Sequence, residues 1–220
     1  MSGITKGKVL YSDAVTSAES FFDEIITILI TSISFIISVQ LIKTKSSPVL
    51  TYAREEYLKA DFPIAAIGET KVYSFKMFEI LEKIADQQKI DFIEYVAYEK
   101  TLENISNVTN ATVFENQDTY YFIRKVIAGC YLTYYEKIKD SIHQLYGTDP
   151  LHWPSELQFA RVVRNAFAHY SLITIKNANV PPVVWRHLTY SSQDNGRNIF
   201  TDLYVVELID LMKDIEPRLR

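Results

Sequence analysis

Between Glu24 and Lys43 the chain carries no charge at all, and the stretch "IITILITSISFIISVQLI", Ile25 to Ile42, most limits what this protein can become. As a helix rising about 1.5 Å per residue, its roughly 18 positions reach about 27 Å, barely the hydrocarbon core of a bilayer. Length alone does not choose between a membrane span and a buried helix. Thr27, Thr31, Ser34 and Ser38 recur at spacings of four, three and four, which draws a narrow hydroxyl stripe along one face. Such a stripe suits a helix surrounded on most sides by a bundle, and it also suits packing between transmembrane helices. The buried helix is the expectation and the membrane span the alternative. Asp13, Glu19, Asp23 and Glu24 precede the run where a cleavable signal carries basic residues, so no signal peptide is read there.

The rest of the composition fits a globular chain. Its 220 residues are 48% hydrophobic and 23% charged, enough to bury a core in one unit with at most a small appendage. A net charge of −4 gives no global basic field, so any nucleic-acid contact must come from a local cluster. The single cysteine, Cys130 in "VIAGCYL", excludes an internal disulfide framework and a cysteine-rich zinc site. It reads as a packing residue of a chain at home in a reducing cytoplasm.

Helical patterns recur along the chain. "SSPVLTYAREEYLKADF" opens with Ser47 and Pro48 in cap and first-turn roles. "KVYSFKMFEILEKIADQQK" spaces Phe75, Phe78, Leu81 and Ile84 at helical intervals, and "IDFIEYVAYEKTLENI" does so with Ile93, Val96 and Ala97. The pattern lapses at "NISNVTNAT", a triple Asn-x-Ser/Thr run that reads as a polar linker rather than as glycosylation acceptors. Ile127, Cys130, Tyr134, Ile138 and Ile142 then mark one side of a long helix that Gly147 ends. Ser155 and Gln158 spell a capping box for a helix running to about Ala168. "LITI" and "VVWRHLTY" change to a strand pattern, with Asn195-Gly196 as a hairpin turn. Thr201 is the expected cap of a last helix that turns Leu203, Val206, Ile209, Leu211 and Met212 to the core. The expected organisation is therefore an N-terminal helical region over 1–103, a polar linker over 104–115 and a helical core over 116–220.

"RVVRNAFAHY", Arg161 to Tyr170, sets polar residues into an otherwise apolar helix. At 100° per residue Asn165 and His169 share a face, with Arg164 adjoining beside Arg161 and Ala168. Ala166 and Ala168 are small enough to let another helix approach. His169 falls at the helix C-terminus, where a break can swing it toward Arg164. Phosphate chemistry asks for such a pair: a fixed cation for the anionic oxygens and a group that moves protons near neutral pH.

"RNAFAH", residues 164–169, resembles the signature of the HEPN superfamily, in which an arginine and a polar residue precede a histidine by a short spacer. The resemblance covers residues 116 to 217. It implies an all-α bundle, here with a small β-hairpin inserted before the last helix, that pairs as a symmetric dimer with both motifs in one cleft. It also implies metal-independent RNA cleavage, often by toxins of toxin–antitoxin, abortive-infection or antiphage systems, with an antitoxin or regulatory protein as partner. On that resemblance Arg164 neutralises the scissile phosphate, His169 acts as general base or acid, and Asn165 orients one of them or touches phosphate. Neither a cofactor nor a metal is implied. Several members carry a tyrosine two residues after the histidine; here that position is Ser171, and Tyr170 follows His169 directly. Other members keep the fold and lose catalysis, so a non-catalytic dimerisation or RNA-binding module is the alternative.

Arg161, Tyr170, Arg186 and Arg197 are the further residues expected to contact RNA, the two hairpin arginines by folding over the motif helix. Trp185 reads as a core anchor before a base-stacking platform. His143, His152 and His187 show no metal-site spacing.

Overall fold

Strands stand in the first half of the chain where the sequence reads as helical. The computed structural model describes residues 9–31, 62–65, 71–99, 117–177, 179–203 and 205–220, and the chain divides into two compact units, Met1–Ile123 and Arg124–Arg220. In the first, strands β1 (Val9–Thr16), β2 (Phe62–Ala65), β3 (Lys71–Phe75) and β4 (Phe92–Glu99) form an antiparallel sheet in the order β1-β4-β3-β2. The expected all-α architecture is thus corrected to a mixed one with two antiparallel sheets.

The physical reason lies in β4. Ile93, Val96 and Ala97 satisfy helical spacing, but Ile93, Tyr95 and Ala97 equally satisfy a period of two, and these three are buried, with Tyr98 beside them, while Val96 is only half-buried. In so short a window both periods fit, and pairing with distant strands decides. Tyr95 lies opposite Asp13 of β1 and opposite Phe75 of β3. Its hydroxyl donates to the Asp13 carboxylate at 3.1 Å, and its ring packs 5.3 Å from that of Phe75. One residue therefore ties three strands at one rung. Of the "KVYSF…" segment only α2 (Met77–Ala85) is helical; the β-branched and aromatic residues before it form β3.

Helix α1 is described over residues 22–31 and holds the first part of the apolar run. Phe22, Ile25, Ile28 and Leu29 are buried, while Thr27 lies on the exposed side and donates to the Asp23 carbonyl. The rest of the run to Ile42, the "SSPV" segment and the 104–115 linker lie outside the described residues. Among the described residues no helix is long and apolar enough to cross a membrane.

The second unit is assembled around helix α4 (Ser155–Ala168), packed with α3 (Gln117–Tyr146), a hairpin of β5 (Val183–Trp185) and β6 (Leu188–Tyr190), and α5 (Val205–Ile215). Its core is aromatic. Phe159 stacks on Tyr190 at 5.1 Å and packs on Trp185 at 5.4 Å, while Phe167 stacks on Phe200 and meets the edge of Tyr131. Ile127, Tyr134, Ile138 and Ile142 are buried along α3, with Cys130 half-buried among them. Gly147 closes α3 at φ +78, its N–H donating to the His143 carbonyl.

Three local readings change. Pro154, not Ser155, is the N-cap of α4, and no side chain caps it. Gln158 instead donates back to the Trp153 carbonyl at 2.8 Å. The hairpin turns at Arg186-His187, with Arg186 at φ +50, rather than at Asn195-Gly196. Asn195-Gly196 clasps another segment: the Asn195 amide accepts from the Ile175 N–H and donates to the Ile175 carbonyl, and the Gly196 N–H donates to Ile173. A polar dipeptide that spells a turn is thereby used as a clip, and the Asn195 amide supplies the Ile175 N–H and carbonyl with partners beyond the backbone bonds of 171–173. Finally, Thr201 ends a short 3-10 turn capped by Asn198, and α5 starts later, at Val205.

Candidate functional site

Gln158, Arg161, Val162, Asn165 and His169 recur along α4 at intervals of three and four, one face of a helix. They line a cavity of about 530 Å³ together with Arg164. The opposite wall comes from the Asp149–Leu151 turn and from the chain at 174–183, the part held in place by Asn195. The structure thus brings Arg161, Arg164, Asn165 and His169 to one concavity.

Arg164 is half-buried and gripped from α3: its Nε and Nη2 donate to one Glu136 oxygen at 3.0 and 2.6 Å, and its Nη1 reaches the Asn165 Oδ1 at 3.3 Å. That carboxylate is held below its usual pKa range, chiefly by the Arg164 hydrogen bonds against a small burial cost, with Lys139 adding to the effect. Beneath the arginines lies Tyr135, whose hydroxyl burial pushes up to about 12 even though Arg161 and Arg164 pull it down. Arg161 forms no ion pair among the described residues, nor does Lys176 on the facing loop. Among the described residues Asp149 is the one carboxylate on the cavity lining, and it is occupied: it accepts from the Leu151 N–H at 3.1 Å and faces His152 Nδ1 at 3.2 Å. The lining therefore favours an anion.

His169 is the C-cap of α4, its N–H shared between the Asn165 and Ala166 carbonyls, and its exposed ring has no hydrogen bond among the described residues. Tyr170 and Ser171 then take φ +58 and +66, two consecutive left-handed non-glycine residues. Backbone bonds from Leu172 to His169, from Ile173 to Arg197 and from Ile199 to Ser171 impose this reversal. The break after the motif helix is thus set by tertiary contacts, and it leaves the Tyr170 ring 82% exposed with Lys125 5.8 Å from its centroid. Tyr170 is not on the cavity lining.

Arg186 of the hairpin turn and Arg197, which lies beyond the hairpin itself, take other roles. Arg186 pairs with Asp210 and Asp214 of α5 and lies over the Trp185 ring at 4.9 Å. Arg197 pairs with Asp194 at 3.1 Å and Asp202 at 2.8 Å and lies over Tyr190. Neither lines the cavity. Trp185 is buried and donates to Asp214 at 3.0 Å, a core anchor. Ala166 is fully buried inside its own unit and Ala168 is exposed, so the small-residue surface expected for a second helix is reduced to Ala168.

Glu136, Gln158, Lys176 and Asn177 were not legible as site residues. Glu136 meets Arg164 across 28 positions of sequence, a contact no local pattern encodes. The one local signal for the other wall was the polar "KNAN" between two β-branched runs. Among the described residues no group of three or more His, Cys, Asp or Glu side chains is placed to hold a metal ion. Comparison with protein-family models, curated proteins and solved structures finds no match to this chain.

Proposed function

We propose that this protein is a metal-independent endoribonuclease of the HEPN type, cytoplasmic and acting as a toxin or in abortive-infection or antiphage defence. The observation that carries the reading is the convergence of Arg161, Arg164, Asn165 and His169 on one cavity whose one carboxylate among the described residues is already occupied. In this chemistry the ribose 2′-oxygen attacks the adjacent phosphorus and the P–O5′ bond breaks, leaving a 2′,3′-cyclic phosphate and a 5′-hydroxyl. His169, at the helix end with an uncommitted ring, takes the 2′-hydroxyl proton or delivers one to the departing 5′-oxygen. Arg164 neutralises the charge that grows on the phosphoryl oxygens, and Asn165 steadies its guanidinium. Because the nucleophile is the 2′-hydroxyl, RNA is cut and DNA is spared. A homodimer sharing one cleft, and an antitoxin or regulatory partner, belong to the same reading.

The Arg164–Glu136 pair favours a second reading, a non-catalytic dimerisation or RNA-binding module, since an arginine already neutralised stabilises the growing phosphoryl charge less. One assay separates the two: incubation of a mixed RNA pool in EDTA, with matched DNA and the His169→Ala and Arg164→Ala proteins alongside. RNA-only cutting that falls by about 10²–10⁴ in the variants supports the ribonuclease. A folded wild-type protein that binds RNA and leaves it intact supports the module, and unchanged cutting by both variants removes Arg164 and His169 from the chemistry.

A further inference from the structure

The cavity is larger than a phosphate needs. About 530 Å³ lies in the range of small-molecule pockets and suits a single nucleotide, whereas a base-paired duplex does not enter such a volume. Its walls divide chemically. The cations Arg161, Arg164 and Lys176 suit a phosphodiester, while Val162, Ile175, Val180 and Val183 supply apolar surface with no use for one. A flat, aromatic, hydrogen-bonding group accounts for both surfaces at once.

Two amides on the lining have fixed polarity. Gln158 spends its Nε2 on the Trp153 carbonyl at 2.8 Å, which leaves Oε1 as an acceptor. Asn177 spends its Oδ1 on the Asn179 N–H at 3.0 Å, which leaves Nδ2 as a donor. One oriented acceptor and one oriented donor are what the edge of a nucleobase requires, and locking each amide through its other end removes the rotation that would blur the choice.

We infer that this cavity takes one unstacked nucleobase of a single-stranded RNA, next to the phosphate held by Arg164, and that Gln158 and Asn177 read its edge. The inference rests on the ribonuclease reading for the position of the phosphate, but it makes a separate claim: binding here depends on the base. Structured RNA is then attacked in loops and bulges, where a base swings out without breaking pairs.

The test is calorimetric titration of the full-length protein with the four nucleoside 3′-monophosphates and with ribose 5-phosphate, beside the EDTA cleavage assay. The expected result is at least about tenfold tighter binding of one nucleotide than of ribose 5-phosphate, the effect of one or two good hydrogen bonds plus apolar contact. Asn177→Asp turns the donor into an acceptor while keeping the oxygen that Asn179 needs, and it erases that preference. Val180→Trp fills the apolar side and serves as a second variant should the first not fold. Equal binding of all four nucleotides and ribose 5-phosphate overturns the base pocket and leaves the phosphate site standing. No nucleotide binding by a protein that still cuts RNA overturns the pocket alone, and neither binding nor cutting overturns both readings.

Discussion

Arg164 of α4 donates twice to a single oxygen of Glu136 on α3, from Nε at 3.0 Å and from Nη2 at 2.6 Å. The guanidinium is thus aimed by a neighbouring helix rather than left to wander, and its Nη1 is passed on to Asn165. Glu136→Ala keeps the charge on Arg164 and removes its anchor. RNA binding is expected to be unchanged or tighter, because a competing carboxylate is gone, while the single-turnover cleavage rate falls on the order of tenfold as the arginine loses its position. A rate that rises instead makes the pair an inhibitory lock and not a positioning contact.

The same pair sets a pH signature. Glu136 has a folded pKa below the usual carboxylate value, first through the Arg164 hydrogen bonds. A depressed folded pKa contributes stability above the unfolded value of about 4.3, and that contribution is lost as pH falls through the folded value. The carboxylate is 46% exposed, so solvent screening keeps the effect below about 1 kcal/mol. Carboxyl-carbon NMR should give Glu136 a low midpoint that Arg164→Ala returns to the ordinary range. A midpoint indifferent to Arg164 means that the pair does not form in solution.

Arg186 belongs to the fold. It holds Asp210, buried on α5, together with Asp214, which also accepts from the Trp185 indole. Burial works against its charge, but the two carboxylates outweigh that and raise its pKa further above the usual arginine value. Arg186→Ala removes the cation from a buried carboxylate and should cost about 3 kcal/mol in urea denaturation. Cleavage per folded molecule is expected to stay at the wild-type rate. A variant of wild-type stability that fails to bind RNA would return Arg186 to the RNA surface.

Tyr170 is strained where it stands, at φ +58 with its ring in solvent. Tyr170→Gly relieves the left-handed backbone and loses little packing, so the unfolding midpoint should rise by the equivalent of about 1 kcal/mol. If stability rises and RNA cleavage falls together, the ring serves the substrate at the cost of local strain. A stability gain with unchanged cleavage leaves Tyr170 without an RNA role.

Legibility followed the range of the interactions. The buried face of α3 from Ile127 to Ile142, the Gly147 stop and the Leu203-to-Met212 core all stand where the sequence put them, since each depends on neighbours within two turns. In "FIEYVAYE" eight residues fit two periods, and the choice belonged to Asp13 and Phe75, far away in the chain. Asn195-Gly196 has real turn chemistry, but it is spent on Ile175 rather than on a hairpin.

By itself, the sequence determined which side chains stand together on α4: Arg161, Arg164, Asn165 and His169 are neighbours because a helix repeats every 3.6 residues, whatever surrounds it. Tertiary structure alone decided what they face. Glu136 reaches Arg164 only because α3 packs with α4, and Asn177 and Lys176 line the cavity only because Asn195 clips the chain before them. Arg186 and Arg197 were drawn the other way, to the carboxylates of α5 and of its approach. Helical periodicity is a property of the local backbone, whereas the choice of partner for a charge depends on which opposite charge the fold brings within reach.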